Sequence, residues 1–473
     1  MPAPIPFLLT LTAFILLVPA ARADSWPAAL DASLARAGIP RGATAVLVED
    51  VDGGAPLAAH RTQEAMNPAS VMKLVTSYVA LDRLGPAFTW KTRLSSPAAI
   101  RRQTLQGDLV VTGGGDPRLS RERLWLLLRE LRAQGIRRID GDVVTDRSFF
   151  RLPPHDPAAF DQRPLRPYNA GADALGVDYG AIRVRLVPTA AGAQATVDPQ
   201  PAGLDIDNRI RRGTGGACGD PVAQLAASTT DTPGGVRLIL DGILPAGCTE
   251  AFDWNLAPLP PERLFEGIFR SLWKELGGEI GGRFRDGPTP ADARLLAESV
   301  SPNLPEVLRD MNKWSNNVIA RDVFATLGSI AEPGQDSVAA GARTVLRTLV
   351  ANGIAVDGIV IDNGAGLSRS ARISATTLGQ LLLAAWRSRT MPELLSSLPV
   401  AGVDGTARRR LPNSPAAGAA HVKTDTLDGV RSLAGYVLAR NGHRYAVVLM
   451  INHPNASAAR DVQDALLEWV AGL

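Results

Sequence analysis

The sequence predicts an α+β protein in which an antiparallel sheet flanked by helices carries a large β-rich insertion. Near the end of the chain, three strand-like runs are followed by a helical run. The second and third of these strands are joined by Asn441-Gly442, a strong hairpin signal. Between about residues 91 and 294, short strand-like runs such as Ala181–Val187 alternate with Gly- and Pro-rich turns, and few helices intervene.

The elements outside the insertion follow from hydrophobic spacing and from capping residues. Asn67 is a suitable N-cap, Pro68 fits the first helical position, and Gly85-Pro86 ends that helix. We expect the elements in this order: a strand at Thr44–Glu49, a helix at about Pro68–Leu84, helices at Leu304–Asn312 and Val318–Leu327, strands at Val422–Leu427, Leu433–Arg440 and Arg444–Ile451, and a helix at Ala458–Val470.

These elements predict a discontinuous main domain built from both ends of the chain. It comprises residues 24–90 and 295–473. Residues 91–294 form the inserted β-rich region, which we expect to contain one or two subdomains, with residues 104–165 nested inside the rest. A chain of 473 residues is too long for one hydrophobic core, which agrees with this division.

Composition excludes several classes of protein. Hydrophobic residues make up 45% and charged residues 21% of the chain, a balance typical of globular proteins. The net charge is only +3 and no basic run exceeds Arg408–Arg410, which argues against nucleic acid as a partner. The five histidines show no HExxH spacing, so a zinc hydrolase is not indicated. The sequence predicts no metal and no cofactor.

The N-terminus predicts export. Phe7–Val18 is an apolar run too short to span a bilayer, and Ala21-Arg22-Ala23 after it resembles a cleavage site, so residues 1–23 are predicted to be a secretory signal peptide. No Lys or Arg precedes the run. An uncleaved anchor with weak membrane association therefore stays open, and the sequence does not reveal the oligomeric state.

Two cysteines, Cys218 and Cys248, lie in Gly- and Pro-rich surroundings. In an oxidising compartment they are expected to form one disulfide, which would stabilise the fold by roughly 3–4 kcal/mol. Two unpaired thiols are the alternative. Neither interpretation makes these residues catalytic.

Lysine is scarce in this chain, since only five of the 50 basic residues are lysine. An Arg-favouring codon bias explains the scarcity, but arginine cannot give up its proton in a protein, whereas lysine can. Ser70 and Lys73 lie one turn apart at the predicted start of a helix, where free backbone amides can hold an oxyanion. Buried beside this serine, the Lys73 amine could act as a general base. A second such pair, Ser271 and Lys274, lies far from the start of its helix, on the solvated side.

Two further polar groups have open interpretations. Ser315 and Asn317 are two residues apart in a predicted turn, where they could reach a cleft or simply cap a helix. Lys423 and Thr424 lie on a predicted edge strand, with Thr426 on the same face as Thr424. They could bind the terminal carboxylate of an extended substrate, or Lys423 could be an ordinary solvated lysine.

Taken in this order, the three groups form the SxxK, SxN and KT motifs of penicillin-recognising serine acyltransferases. The sequence closely resembles the low-molecular-mass class C penicillin-binding proteins, the D-Ala-D-Ala carboxypeptidase/endopeptidase family. A large insertion between the first two motifs is typical of that family. Further matching segments are Thr112–Pro117, Asp310–Lys313, Asp362–Arg369, Gly402–Thr406 and Ser432–Tyr436.

The resemblance implies a penicillin-binding/β-lactamase-like transpeptidase domain in a periplasmic enzyme that trims or cuts peptidoglycan stem peptides and that β-lactams acylate. It implies a role for each motif residue. Ser70 forms the acyl-enzyme and Lys73 takes its proton, while Ser315 relays a proton to the departing D-alanine and Asn317 orients the substrate. The carboxylate-binding residues are Lys423, Thr424 and Thr426, and the amides of Ser70 and Thr426 form the oxyanion hole.

One residue departs from the family pattern. Asp425 stands where the third motif usually has glycine. It could pair with Lys423 and weaken carboxylate binding, or a nearby arginine could neutralise it, and we expect acylation that still occurs but is slow. Two alternatives stay open: a catalytically weak or silent peptidoglycan-binding homologue, which only Asp425 supports, and a secreted β-lactamase. The latter lacks support because the chain has neither an ExxLN segment nor a tyrosine at position 315.

Overall fold

The computed structural model describes residues 25–473, so the predicted signal peptide, residues 1–23, lies outside the described residues. None of the helices in this part of the chain is long and apolar enough to cross a membrane. The helices are Asp31–Ala37, Met72–Leu84, Arg121–Ala133, Pro261–Glu275, Leu304–Lys313, Asn317–Ala331, Ser337–Ala351, Ala375–Arg387, Met391–Ser397 and Arg460–Ala471.

Both ends of the chain build one five-stranded antiparallel sheet, called here the terminal sheet. Its strands, in spatial order, are Ala58–His60, Thr44–Asp50, Arg444–Asn452, Val430–Leu438 and Ala420–Leu427. The three C-terminal strands and their hairpin lie where the sequence predicts them. The last strand in this order is the edge of the sheet, and residues 399–401 pair with its first residues on the outer side, through Val422 N to the Pro399 carbonyl and Ala401 N to the Ala420 carbonyl.

The terminal sheet is buried on both faces because alternate residues of each strand face different helices. Leu47 packs into a core with the helices Met72–Leu84 and Ala375–Arg387. Its neighbour Val46 packs on the other face, against the helix Arg460–Ala471. The strand Thr44–Asp50 thus packs against one helical layer on each face of the sheet.

The insertion contributes several smaller sheets around its own core. Its five-stranded sheet contains Phe284–Asp286, Val143–Asp146, Leu109–Gly113, Lys91–Ser96 and Arg294–Val300, and a four-stranded sheet contains Glu279–Ile280, Arg138–Ile139, Thr104–Leu105 and Ile100–Arg101. The other strands of the insertion are Ile182–Pro188, Ala193–Thr196, Leu204–Asn208, Arg211–Arg212, Leu225–Thr232, Gly235–Leu244 and Phe252–Leu256. Outside it, Ala65–Met66 pairs with Ile373–Ser374.

Strand pairing within the insertion differs from the predicted nesting of residues 104–165. Strands between residues 104 and 146 pair with strands at 91–101 and 279–286, from both ends of the insertion. By contrast, the strands between 182 and 256 pair only with one another in the described chain. The segment enclosed by the rest is therefore 182–256.

The predicted disulfide is present in this enclosed segment. Cys218 and Cys248 are bonded, with their Cα atoms 4.5 Å apart. Cys248 belongs to the apolar core of the insertion, and the Arg212 guanidinium donates to its carbonyl oxygen at 2.7 Å. The bridge thus ties an irregular loop to the strands of the insertion, far from the first and last motifs in sequence.

Candidate active site

Ser70 lies in a tight turn rather than inside a helix. The turn is a single 3₁₀ turn, Ala69–Val71, and the α-helix begins only at Met72, four residues after the predicted start at Pro68. The Asn67 side chain caps this turn as expected of an N-cap, since its Oδ1 accepts a hydrogen bond from the Ala69 amide at 2.9 Å. The later start of the α-helix has a local cause. Ala69 has a φ of 47°, which no right-handed helix can contain.

The turn is held in this strained shape by its neighbours. A non-glycine residue in the left-handed region costs about 1–2 kcal/mol, so surrounding contacts must enforce it. Ser432 Oγ donates to the Pro68 carbonyl at 2.6 Å. On the other side Gly366 packs so closely that a Cβ there would lie 1.9 Å from the Ala69 carbonyl oxygen. Only glycine allows this approach, and the contact fixes the position of Ser70.

Lys73 lies directly beneath Ser70 and is completely buried. Its Nζ donates to Ser70 Oγ at 2.9 Å, to Asn317 Oδ1 at 2.6 Å and to the Ala365 carbonyl at 2.6 Å. All three partners are neutral. Burial, followed by the positive charge of Lys423, holds the pKa of Lys73 well below its usual range. A lysine in this setting can take a proton from the adjacent hydroxyl.

Ser315 and Asn317 flank the junction of the helices Leu304–Lys313 and Asn317–Ala331. Neither of them caps the second helix, because the side chain of Asn316 does so by accepting from the Ile319 amide. Ser315 has a φ of 57°, a second strained position beside the first. Asn317 Nδ2 donates to the Tyr168 carbonyl of the insertion at 3.2 Å, while its Oδ1 faces Lys73.

The third motif lies on the edge strand Ala420–Leu427 of the terminal sheet. Lys423 is completely buried there, and its Nζ donates to the Thr424 carbonyl at 2.6 Å. Burial lowers the pKa of Lys423 to about 8, although the nearby Asp425 carboxylate opposes that shift. Lys423 is therefore not the solvated edge lysine of the alternative interpretation.

Asp425 contacts the turn Ala69–Val71 itself. Its Oδ2 accepts a hydrogen bond from the backbone amide of Ser70 at 2.7 Å. This partner was not foreseen from the sequence, which suggested Lys423 or an arginine instead. The side chain at the usual glycine position therefore reaches across to the turn Ala69–Val71.

A cleft of about 770 Å³ opens between the main domain and the insertion. From the predicted site residues, Ser70, Ser315, Asn317 and Thr426 line it, together with Asp425. Lys73 and Lys423 lie buried beneath it. Among the residues described, Thr424 is the one predicted site residue that neither lines the cleft nor is buried below it. The insertion contributes Phe160, Asp161, Arg163 and Tyr168, and the remaining lining residues are Trp314, Leu367, Arg369, Leu427 and Asp428.

The second SxxK pair, Ser271 and Lys274, lies outside the cleft, and Lys313 has a structural role. Ser271 Oγ donates to the Gln200 carbonyl, and Lys274 is exposed, on the helix Pro261–Glu275 of the insertion. Lys313, two residues before Ser315, donates to the Leu398 carbonyl and pairs with Asp404. Its place near the second motif thus reflects support of the helix end.

Sequence reasoning missed two backbone groups that complete the site. The Ala365 carbonyl accepts from Lys73, and the Tyr168 carbonyl accepts from Asn317. The run Asn363-Gly364-Ala365-Gly366 was a usable signal for the first, because two glycines so close together indicate a backbone that approaches other groups. No residue type around Tyr168 marks the second.

Comparison with known proteins agrees with this geometry. Residues 27–473 match the family model described as D-Ala-D-Ala carboxypeptidase 3 (S13) family. A D-alanyl-D-alanine carboxypeptidase of Actinomadura sp. (strain R39) is 31% identical over 465 residues, covering 92% of this chain and 82% of the relative. A D-alanyl-D-alanine carboxypeptidase of Haemophilus influenzae is 28% identical over 389 residues, covering 82% of this chain and 80% of the relative.

Solved structures give the same result. The crystal structure of penicillin binding protein 4 from Haemophilus influenzae matches with a TM-score of 0.74 at 26% identity, covering 90% of this chain and 96% of the other. The same protein complexed with a β-lactam matches with a TM-score of 0.73 at 25% identity, covering 93% and 99%. The chain therefore belongs to the D-Ala-D-Ala carboxypeptidase 3 (S13) family, within the low-molecular-mass class C penicillin-binding proteins.

Proposed function

We propose that the cleft is the active site of a serine-type D-Ala-D-Ala carboxypeptidase in which Ser70 is the nucleophile and Lys73 its general base. One observation carries this assignment: the completely buried Lys73 amine lies 2.9 Å from Ser70 Oγ among neutral partners. Burial there lowers the pKa of Lys73 and with it the cost of the neutral amine, which can accept the proton of the adjacent hydroxyl. Family membership favours this enzyme over both the silent homologue and the secreted β-lactamase.

The proposed chemistry is an acyl transfer in two steps. The Ser70 hydroxyl gives its proton to Lys73 as Oγ attacks the carbonyl carbon of the penultimate D-alanine. When the C–N bond breaks, Ser315 passes its proton to the departing amine of the terminal D-alanine and regains one from Lys73, which leaves Lys73 neutral again. Water then attacks the ester carbonyl and gives a proton to Lys73, and that proton goes to Ser70 Oγ as the C–O bond of the ester breaks. The backbone amides of Ser70 and Thr426 hold the carbonyl oxygen while it carries negative charge.

Substrate binding in this proposal depends on charge at the edge strand. An extended stem peptide pairs with the strand Ala420–Leu427 beyond Val422, and the buried Lys423 attracts its terminal carboxylate, with the hydroxyl of Thr426 as a hydrogen-bond donor. A contact from Thr424, which does not line the cleft, stays a prediction from the family resemblance. Asn317 orients the peptide from the opposite wall. The substrates are peptidoglycan stem peptides, and β-lactams acylate the same serine.

The proposed location rests on the sequence and the disulfide, and the proposed domain division rests on strand pairing. The predicted signal peptide favours export to the periplasm, where peptidoglycan and oxidised disulfides occur. We divide the described chain into a peptidase domain, residues 25–90 and 301–473, and an insertion, residues 91–300, because the strand Arg294–Val300 pairs with Lys91–Ser96 of the insertion. Within the insertion, residues 182–256 form the enclosed subdomain.

Covalent labelling tests the proposal. The mature protein is incubated with fluorescent penicillin, separated under denaturing conditions, and compared with Ser70→Ala and with the matched control Ser271→Ala, which alters the look-alike motif. We expect persistent label on the wild type and on Ser271→Ala, and none on Ser70→Ala. Release of D-alanine from a peptide ending in D-Ala-D-Ala should follow the same pattern.

Each alternative gives a different result. No covalent label on the wild type would contradict the proposal and favour a silent peptidoglycan-binding protein. Label that appears and is rapidly released would favour a β-lactamase. Label that persists on Ser70→Ala would show that another residue is the nucleophile.

A further inference from the structure

The Asp425 carboxylate occupies the position where the proposed mechanism needs a free hydrogen-bond donor. The Ser70 amide is one of the two groups assigned to hold the carbonyl oxygen, and in the structure it donates to Asp425 Oδ2 at 2.7 Å. A group that already accepts this hydrogen bond competes directly with the substrate. The inference below rests on the function proposed above and concerns regulation of the same site.

We propose that Asp425 acts as an internal ligand of the oxyanion hole and limits the rate at which Ser70 is acylated. In the resting enzyme its carboxylate takes the place of the oxyanion. Acylation then proceeds only from the fraction of molecules in which the Asp425 side chain has moved away from the amide. Because the side chain lines the cleft of about 770 Å³, rotation about its own bonds can release the amide without moving the strand.

The charged residues around Asp425 favour the state in which its carboxylate accepts the hydrogen bond from the Ser70 amide. Lys73 on the neighbouring helix and Lys423 on the same strand are both completely buried, and both interact with the Asp425 charge. Arg431 on the adjacent strand interacts with it as well. Lys423 and Arg431 are thus two cations on adjacent strands that attract the carboxylate to the mouth of the oxyanion hole, and Lys73 adds to this attraction only while it is protonated. The other charged side chains that line the cleft are Asp161, Arg163, Arg369 and Asp428.

A substrate carbonyl is the weaker competitor for the Ser70 amide. Before attack it is neutral, whereas Asp425 offers a charge-assisted hydrogen bond of about twice the strength of a neutral one. The carbonyl oxygen becomes an equal competitor only as charge develops on it during attack. Occupancy by Asp425 therefore slows acylation, and by the same competition it slows attack of water on the ester carbonyl.

Obstruction of the amide can be distinguished from an effect through Lys423. If Asp425 acted only by neutralising Lys423, it would weaken binding of ligands that carry a carboxylate and leave other ligands unaffected. Obstruction slows attack on every carbonyl at Ser70, with or without a carboxylate on the ligand. A β-lactam acid and its methyl ester therefore separate the two effects.

The experiment measures second-order acylation rate constants with fluorescent penicillin and with its methyl ester. The variants are Asp425→Gly, which removes the side chain, and Asp425→Asn, which keeps its shape without its charge. Asp428→Asn is the matched control, because it removes a carboxylate from the same cleft three residues away. We expect Asp425→Gly to accelerate acylation about 10- to 100-fold with both ligands, the range of one charge-assisted hydrogen bond. Asp425→Asn should give a smaller gain with both, and Asp428→Asn none.

The outcomes separate this inference from the proposed function. Unchanged rates for both Asp425 variants, on a wild type that is labelled at Ser70, would overturn the inference and leave the function standing. A gain confined to the acid would also overturn it, in favour of an effect through Lys423. If Asp425→Gly does not fold, Asp425→Asn alone decides by the same criteria. Absence of label on the wild type would instead contradict the proposed function, whatever the Asp425 variants show.

Discussion

In the proposed mechanism, Lys423 makes carboxylate recognition dependent on pH in the range where most lysines stay charged. Burial lowers its pKa to about 8, with Asp425 opposing the shift. Its protonated fraction then falls from about nine-tenths at pH 7 to about one-tenth at pH 9. The part of kcat/KM that depends on the ligand carboxylate should fall by about the same factor, roughly tenfold. Lys73 acts in the opposite direction, because it must lose its proton to serve as the base.

The assay compares a β-lactam acid with its methyl ester from pH 6.5 to 9.5 and follows the ratio of their acylation rate constants. Contributions of Lys73 are common to both ligands and cancel in that ratio. We expect the ratio to fall with a midpoint near pH 8, and Asp425→Asn to move the midpoint to lower pH, since it removes the charge that opposes the shift of Lys423. A ratio that stays constant over this range would refute the assignment of Lys423 to the ligand carboxylate.

Three further predictions concern the base, the nucleophile turn and the disulfide. Lys73→Arg should slow acylation at least about 100-fold, because a guanidinium cannot accept the proton, and normal penicillin labelling of this variant would contradict that role. Gly366→Ala should lower the melting temperature and the labelling rate far more than Gly418→Ala, since both glycines have φ near 75° but only the former has a backbone oxygen within 2 Å of the added Cβ. Replacing Cys218 and Cys248 together by serine should cost roughly 3–4 kcal/mol in urea unfolding of the insertion, with unchanged acylation, and a loss below about 1 kcal/mol would contradict it.

The sequence predicts the terminal sheet well because its signals are local. Alternation, a two-residue hairpin turn and a following helix are readable within the last fifth of the chain, and the observed strands Val430–Leu438 and Arg444–Asn452 lie within a few residues of expectation. The insertion has no such signals. Arg138–Ile139 is only two residues long and pairs with Glu279–Ile280, so its partner is set by packing across a long stretch of chain. The sequence therefore holds no local signal that shows which segment of the insertion the rest encloses.

The site was predictable in its residue types and unpredictable in its contacts. SxxK, SxN and KT placed Ser70, Lys73 and Asn317, which the structure brings together. The strained φ of Ala69 has no sequence signal, because alanine is common in helices and the constraint comes from Gly366, almost 300 residues away. The departure at position 425 was visible in the sequence, but its partner was not. Every residue except proline has a backbone amide, so residue types do not show which amide a side chain will reach.

The insertion takes part in the geometry of the catalytic base through one side chain. Asn317 has a rigid amide, so fixing its nitrogen side also fixes where its oxygen points. Nδ2 donates to the Tyr168 carbonyl of the insertion, and Oδ1 therefore faces Lys73 at 2.6 Å. Arg321 donates to the same carbonyl at 3.1 Å and holds it in place from the helix Asn317–Ala331. A shift of the insertion at Tyr168 would turn the Asn317 amide, and with it one of the three neutral partners that keep the Lys73 amine beside Ser70.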